Sequence, residues 1–144
     1  LEKFIVIQNI EAEPEWPKLF GTALSVCDSF QIMYPDGEWE AENPLLTGKS
    51  EIEKLEGVQT FPWHGMKDST VYSGSLSAES RELFWSHMVP REEECLYPLW
   101  NFDLYRKDKL VFSIQDFSVC LAYSYPEMLE IFAEQGIDLL SLEG

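Results

Sequence analysis

Basic residues are scarce in this chain: ten Lys and Arg stand against 26 Asp and Glu in 144 residues, a formal charge of −16. A surface so negative repels phosphate backbones and anionic lipid headgroups, so neither direct nucleic-acid binding nor membrane binding is expected. Long apolar runs are missing as well. No stretch approaches the roughly 18 residues of a membrane span, and Lys3 with Phe4-Ile5-Val6-Ile7 is too short for a signal peptide. Cysteine is limited to Cys27, Cys95 and Cys120. An odd number at wide spacings argues against a disulfide framework and for a reducing compartment, so a cytoplasmic location is expected. Only two histidines occur, His64 and His87, and with Cys95 they lack the spacing of a zinc site. A Gly-rich phosphate loop, a Gly-x-Ser-x-Gly elbow, a His-Glu-x-x-His helix and a Walker pattern are all absent, which disfavours the common enzyme classes. Neither a metal nor a cofactor is expected.

What is present is enough apolar side chain to fold. A composition 45% hydrophobic and 14% aromatic separates the chain from an acidic disordered tail. Its length fits one α+β domain spanning residues 1–144, with a core that needs no staples. Residues 1–60 hold twelve acids and four bases, and residues 61–144 hold fourteen and six, so each part carries −8. The charge therefore belongs to the whole folded surface and not to a tail.

Periodicity outlines the elements. Lys3 to Ile10 reads as a strand. Trp16, Leu19, Phe20, Ala23 and Cys27 recur at helical spacing, with Pro14 or Pro17 in the first turn. Phe30, Ile32 and Tyr34 alternate, Pro35-Asp36-Gly37 supplies a turn, and Trp39 and Ala41 alternate with glutamates, which predicts a hairpin. Ser50 and Glu53 are spaced as a capping box for a short helix ending at Gly57. Val58 to Gly65 and Thr70 to Leu76 read as extended. Ser77 can cap a helix that ends before Pro90. Trp100, Phe102 and Leu104, then Leu110, Phe112 and Ile114, then Phe117, Val119, Leu121 and Tyr123 predict a three-stranded antiparallel meander at about residues 100–124. Ser124 and Glu127 repeat the capping-box spacing ahead of a last helix ending near Gly136. Strands in runs, with helices at intervals, favour an antiparallel sheet packed by three or four helices over a doubly wound parallel one.

Candidate functional residues follow from local charge and aromaticity. Glu38, Glu40 and Glu42 share one face of the expected strand about 7 Å apart, too far for a single ion, and suit either a solvated strand edge or a partner-binding ridge. Glu92, Glu93 and Glu94 form the densest acidic run, a solvated loop or an anchor for Lys or Arg of a partner. They push the thiol of Cys95 away from nucleophilic use. Cys27 and Cys120 read as small core side chains. Phe61-Pro62-Trp63-His64-Gly65 joins two aromatics to Pro and Gly, so Trp63, like Trp39, is a candidate apolar anchor. The cations Arg106, Lys107 and Lys109 crowd a single turn, too little for a nucleic-acid platform at this net charge.

In size, charge and α+β build, the chain resembles the immunity proteins that block nuclease toxins, and also phage proteins that imitate DNA charge. No motif carries that resemblance residue by residue. It implies an acidic protein-binding module, an inhibitor that neutralises a basic protein partner such as a nuclease toxin. On that reading Glu38, Trp39, Glu40, Glu42, Trp63, Glu92, Glu93 and Glu94 make the contact. One alternative is a small-ligand protein or enzyme using His64 or His87 with a carboxylate in an aromatic pocket. Another is a structural or regulatory subunit whose charge serves solubility. The sequence leaves the oligomeric state open.

Overall fold

A computed structural model describes residues 3–36, 43–89 and 98–142. Its strands are β1 Phe4–Ile7, β2 Ser29–Pro35, β3 Gln59–Pro62, β4 Ser69–Ser75, β5 Asn101–Arg106, β6 Lys109–Gln115 and β7 Val119–Tyr123, with buried and less buried residues alternating most clearly in β5 and β7. They form one sheet in the order β1-β7-β6-β5-β2-β4-β3, with every pair antiparallel. The α-helices among the described residues are α1 Trp16–Val26, α2 Lys49–Glu53, α3 Ala78–Met88 and α4 Pro126–Glu134. The fold is thus α+β, and the expected meander is β5-β6-β7. None of these helices is long and apolar enough to cross a membrane.

Ring contacts place the longer helices on the same face of the sheet. Phe20 of α1 and Phe84 of α3 lie 6.1 and 4.9 Å from the Phe102 ring on β5. Phe132 of α4 and Trp16 of α1 stack 6.0 and 6.2 Å from Phe112 on β6. Ile5, Ile7, Phe30, Ile32, Leu104, Ile114, Cys120 and Ala122 complete this core. Each fully buried Phe contributes roughly 1.5–3 kcal/mol through the apolar surface it removes from water.

Several elements differ from their sequence reading, each for a physical reason. β2 is flanked along Ser29–Met33 by β4 on one side and β5 on the other. The second arm of the hairpin expected after Pro35 lies outside the described residues. α2 is capped at Gly48, whose φ of 80° is left-handed, and not at Ser50. α4 is capped at Tyr125, with Pro126 in the first turn and no side-chain cap, so the Ser124 and Glu127 box does not form. Gly136 does end it: with φ of 80° it lets the Ile137 N–H donate to the Phe132 carbonyl at 2.9 Å, the Schellman closure. In β7 the buried positions are Cys120 and Ala122, while Val119, Leu121 and Tyr123 point to the other face.

Two arginines hold the end of α1 against the sheet. Arg81 of α3 donates from Nε to the Leu24 carbonyl at 2.8 Å, from Nη2 to that of Cys27 at 2.8 Å, and from Nη1 to that of Leu76 at 3.0 Å. Arg106 of β5 donates from Nη1 to the Val26 carbonyl at 2.8 Å and pairs with Glu127 at 2.9 Å. The last carbonyls of a helix have no partner within it and carry the negative end of its dipole, so guanidinium groups suit both needs.

Candidate functional site

The face of the sheet away from the helices carries the other half of each alternating strand. Gln31 and Met33 of β2, Asn101, Asp103 and Tyr105 of β5, and Ser113 and Gln115 of β6 stand there in adjacent rows, with Gln31, Asp103 and Ser113 in register. Met33, Val71 and Trp100 are buried yet separate from the helix-side core, forming a small apolar patch on this side.

Beside that patch opens a cleft of about 400 Å³, lined by Met33, Trp63, Asn101, Asp103, Ser113 and Asp116 among others. Among the described residues Asp103 is one of its two charged lining residues, with Asp116. Burial pushes the Asp103 carboxyl up from its ordinary value, while hydrogen bonds from Ser113 and Tyr105 pull the other way. The donors are connected: the Gln115 amide donates to Ser113 Oγ at 3.3 Å, and the Tyr105 hydroxyl lies 3.4 Å from Asp103 Oδ2 and 3.3 Å from Gln31 Oε1. Burial, followed by the neighbouring Asp103 charge, pushes Tyr105 up to about 12, so its hydroxyl stays a donor near neutral pH. The groups that favour the ionised carboxylate are therefore hydroxyls, not a cation.

The walls of the cleft are held in place. Trp63 meets Trp100 edge to face at 6.0 Å and 82°. Gly65 lies so close to Trp63 that a Cβ there would stand 2.7–2.9 Å from the indole atoms, a space only glycine leaves. Asp116 sits in the β6–β7 turn, with φ of 49° and Phe117 at 70°. That turn is tied to β5 by the Asp116 N–H donating to Asn101 Oδ1 at 3.1 Å and the Phe117 N–H donating to the Trp100 carbonyl at 3.0 Å.

An Asp103→Asn substitution is expected to raise Tm by a few degrees at neutral pH. With the carboxyl raised in the fold, its stabilising contribution is complete below the unfolded value of about 3.9 and is lost as pH rises through the higher folded value. Wild type should therefore gain stability on acidification across that window and the Asn variant should not. Thermal melts of both proteins between pH 4 and 8 check this, and a constant gap between them would refute it.

Of the residues singled out in the sequence, Trp63 lines the cleft. Glu38, Trp39, Glu40, Glu42, Glu92, Glu93, Glu94 and Cys95 lie outside the described residues. His64 is exposed. His87, in the last turn of α3, meets Glu51 of α2 with Nε2 to Oε1 at 2.9 Å, tying two helices together. Neither histidine lines the cleft. Cys27 and Cys120 are buried free thiols, Cys27 pushed up to about 12 and Cys120 raised, in both cases chiefly by burial. That disfavours thiolate chemistry at either one. Among the described residues no three metal-ligating side chains converge. Sequence reasoning passed over Asp103, Asn101, Ser113 and Asp116. One signal was legible: Asp103 interrupts the polar phase of Asn101-Phe102-Asp103-Leu104-Tyr105 with a charge in mid-strand. Trp100, grouped by alternation with Phe102 and Leu104, precedes β5 and turns to Trp63 instead. Comparison with protein-family models, curated proteins and solved structures gave no match.

Proposed function

We propose that the chain is an acidic protein-binding module that neutralises a basic protein partner, an inhibitor of the immunity-protein kind acting in the cytoplasm on a toxin such as a nuclease. The observation that carries this reading is where the charges go. Arg81 and Arg106 are turned inward onto helix carbonyls, while most described lysines, Lys18, Lys54, Lys67 and Lys107 among them, are exposed but are outnumbered by the acids. Most described carboxylates are exposed, Glu11, Glu15, Asp28, Glu53, Glu79 and Glu130 among them. The negative field is thus left largely uncompensated, as attraction of a cationic protein requires. Enzymes that handle phosphate backbones need basic surfaces, which makes them natural partners for such a field. In this reading Glu38, Glu40, Glu42, Glu92, Glu93 and Glu94 supply carboxylates to Lys or Arg, while Trp39 and Trp63 anchor the contact.

The test is affinity capture from the native host at low and high salt, followed by kinetics with the recovered protein. A basic protein released by salt is expected, with an association rate that falls roughly tenfold or more between low and high ionic strength. Replacing Glu92, Glu93 and Glu94 together by Gln should lower both the rate and its salt dependence. Recovery of no basic protein, or rates indifferent to salt and to these substitutions, refutes the reading.

A further inference from the structure

We propose that the cleft around Asp103 is a receptacle for a guanidinium group, the side chain of one Arg on the basic partner, seated with its head at Asp103 and its plane along Trp63. This deepens the preceding reading and rests on it for the source of the arginine.

The chemistry of the cleft selects a cation. Among the described residues its charged groups are the carboxylates of Asp103 and Asp116, and no basic side chain lines it. An ionised carboxylate only accepts hydrogen bonds, and Asp103 already holds two hydroxyl donors from Ser113 and Tyr105. What the half-buried carboxylate lacks is a counter-charge, which an entering cation would supply where screening by water is weakened.

Shape and rigidity favour Arg over Lys. Trp is the best aromatic face for a cation, and a flat guanidinium can stack on it while its edge meets a carboxylate. Trp63 is held by its edge-to-face contact with Trp100 and by the close approach of Gly65, so little ordering remains to be done on binding. The volume of about 400 Å³ lies at the small end of the range for ligand sites, enough for one side chain with a few waters. Met33 supplies an apolar wall for the methylene stem.

The test uses the full chain, labelled with ¹⁵N, titrated at low salt with acetyl-arginine amide. Acetyl-citrulline amide serves as the neutral isostere and acetyl-lysine amide as the compact cation. The arginine compound should shift the Trp63 indole N–H and the amides of Asn101, Ser113 and Asp116 along one saturating curve. Asp103→Asn should weaken it at least tenfold, and the citrulline and lysine compounds should bind at least tenfold more weakly than arginine. Shifts scattered over exposed carboxylates of the helices, an unchanged affinity in Asp103→Asn, or an equal response to lysine or citrulline overturns the proposal. The two readings fail separately. A basic partner that binds wild type and Asp103→Asn alike removes the guanidinium site and leaves the inhibitor reading. Specific binding of acetyl-arginine amide, with no basic partner recovered from the host, does the reverse.

Discussion

An Arg81→Met variant is expected to lose about 3–5 kcal/mol of folding free energy, since hydrogen bonds to charged groups contribute about 1.5–3 kcal/mol each and are not fully additive. The side chain meets three carbonyls at 2.8–3.0 Å, and two of these, Leu24 and Cys27, close the end of α1. Met fills similar space but leaves these acceptors without their donor. Lys is not a rescue: an ammonium on a flexible stem cannot reproduce the planar fork, so Arg81→Lys should recover less than half of the loss. At about 2–4 °C per kcal/mol for a chain near this size, Tm should fall by roughly 10 °C in the Met variant. Circular dichroism melts and urea titrations check both values. A loss below about 1 kcal/mol, the worth of one ordinary hydrogen bond, would show that the three contacts are dispensable.

A comparable loss is expected on the sheet side of the same helix pair. Phe102→Ala should cost about 3–5 kcal/mol, the transfer of the ring plus the cavity it leaves. Phe102 is fully buried, with Phe20 from α1 at 6.1 Å and Phe84 from α3 at 4.9 Å. Neither helix can settle into the gap without lifting off its other contacts, because Trp16 is anchored by its indole N–H to the Met88 carbonyl at 2.8 Å. Phe102→Leu keeps much of the volume and should cost clearly less. Urea midpoints at constant m would measure both losses. Equal stability of Phe102→Ala and wild type would mean that the site collapses freely, contrary to the packing described here.

The acidic surface affects these measurements as well. Glu127 is held below the usual carboxylate range by its hydrogen bond to Arg106 and by that charge. A lowered carboxyl contributes stability above its unfolded value and loses it as pH falls through the folded one, the opposite of Asp103. Comparisons among variants therefore belong at one pH near neutrality.

How much could be read before folding depends on whether a signal is local. The meander, the Ser77 cap and the Gly136 stop are local: alternation, a hydroxyl two or three residues ahead of orphan N–H groups, and a residue free to take positive φ act within a few positions. Caps failed where a neighbour competed. Pro126 favours the first helical turn and moved the start of α4 past Ser124. Gly48 took the left-handed entry to α2 in place of Ser50.

Pairing between distant strands is another matter. β1 lies against β7, with Phe4 opposite Tyr123, and β2 separates β4 from β5, and nothing local in those segments names these partners. The cleft depends on such pairing. Met33 meets Asn101 only because β2 and β5 are neighbours, and Trp63 reaches Trp100 although it follows β3, two strands beyond β2 in the sheet. The sequence by itself determined an acidic α+β chain with enough apolar side chain to fold, because composition and period act without regard to partner. Tertiary structure alone decided which face of the sheet the described helices leave free and that Asp103 stands within it beside Trp63. The reason is that burial of a carboxylate, and the want of a counter-charge there, exist only once strands distant in the chain are brought side by side.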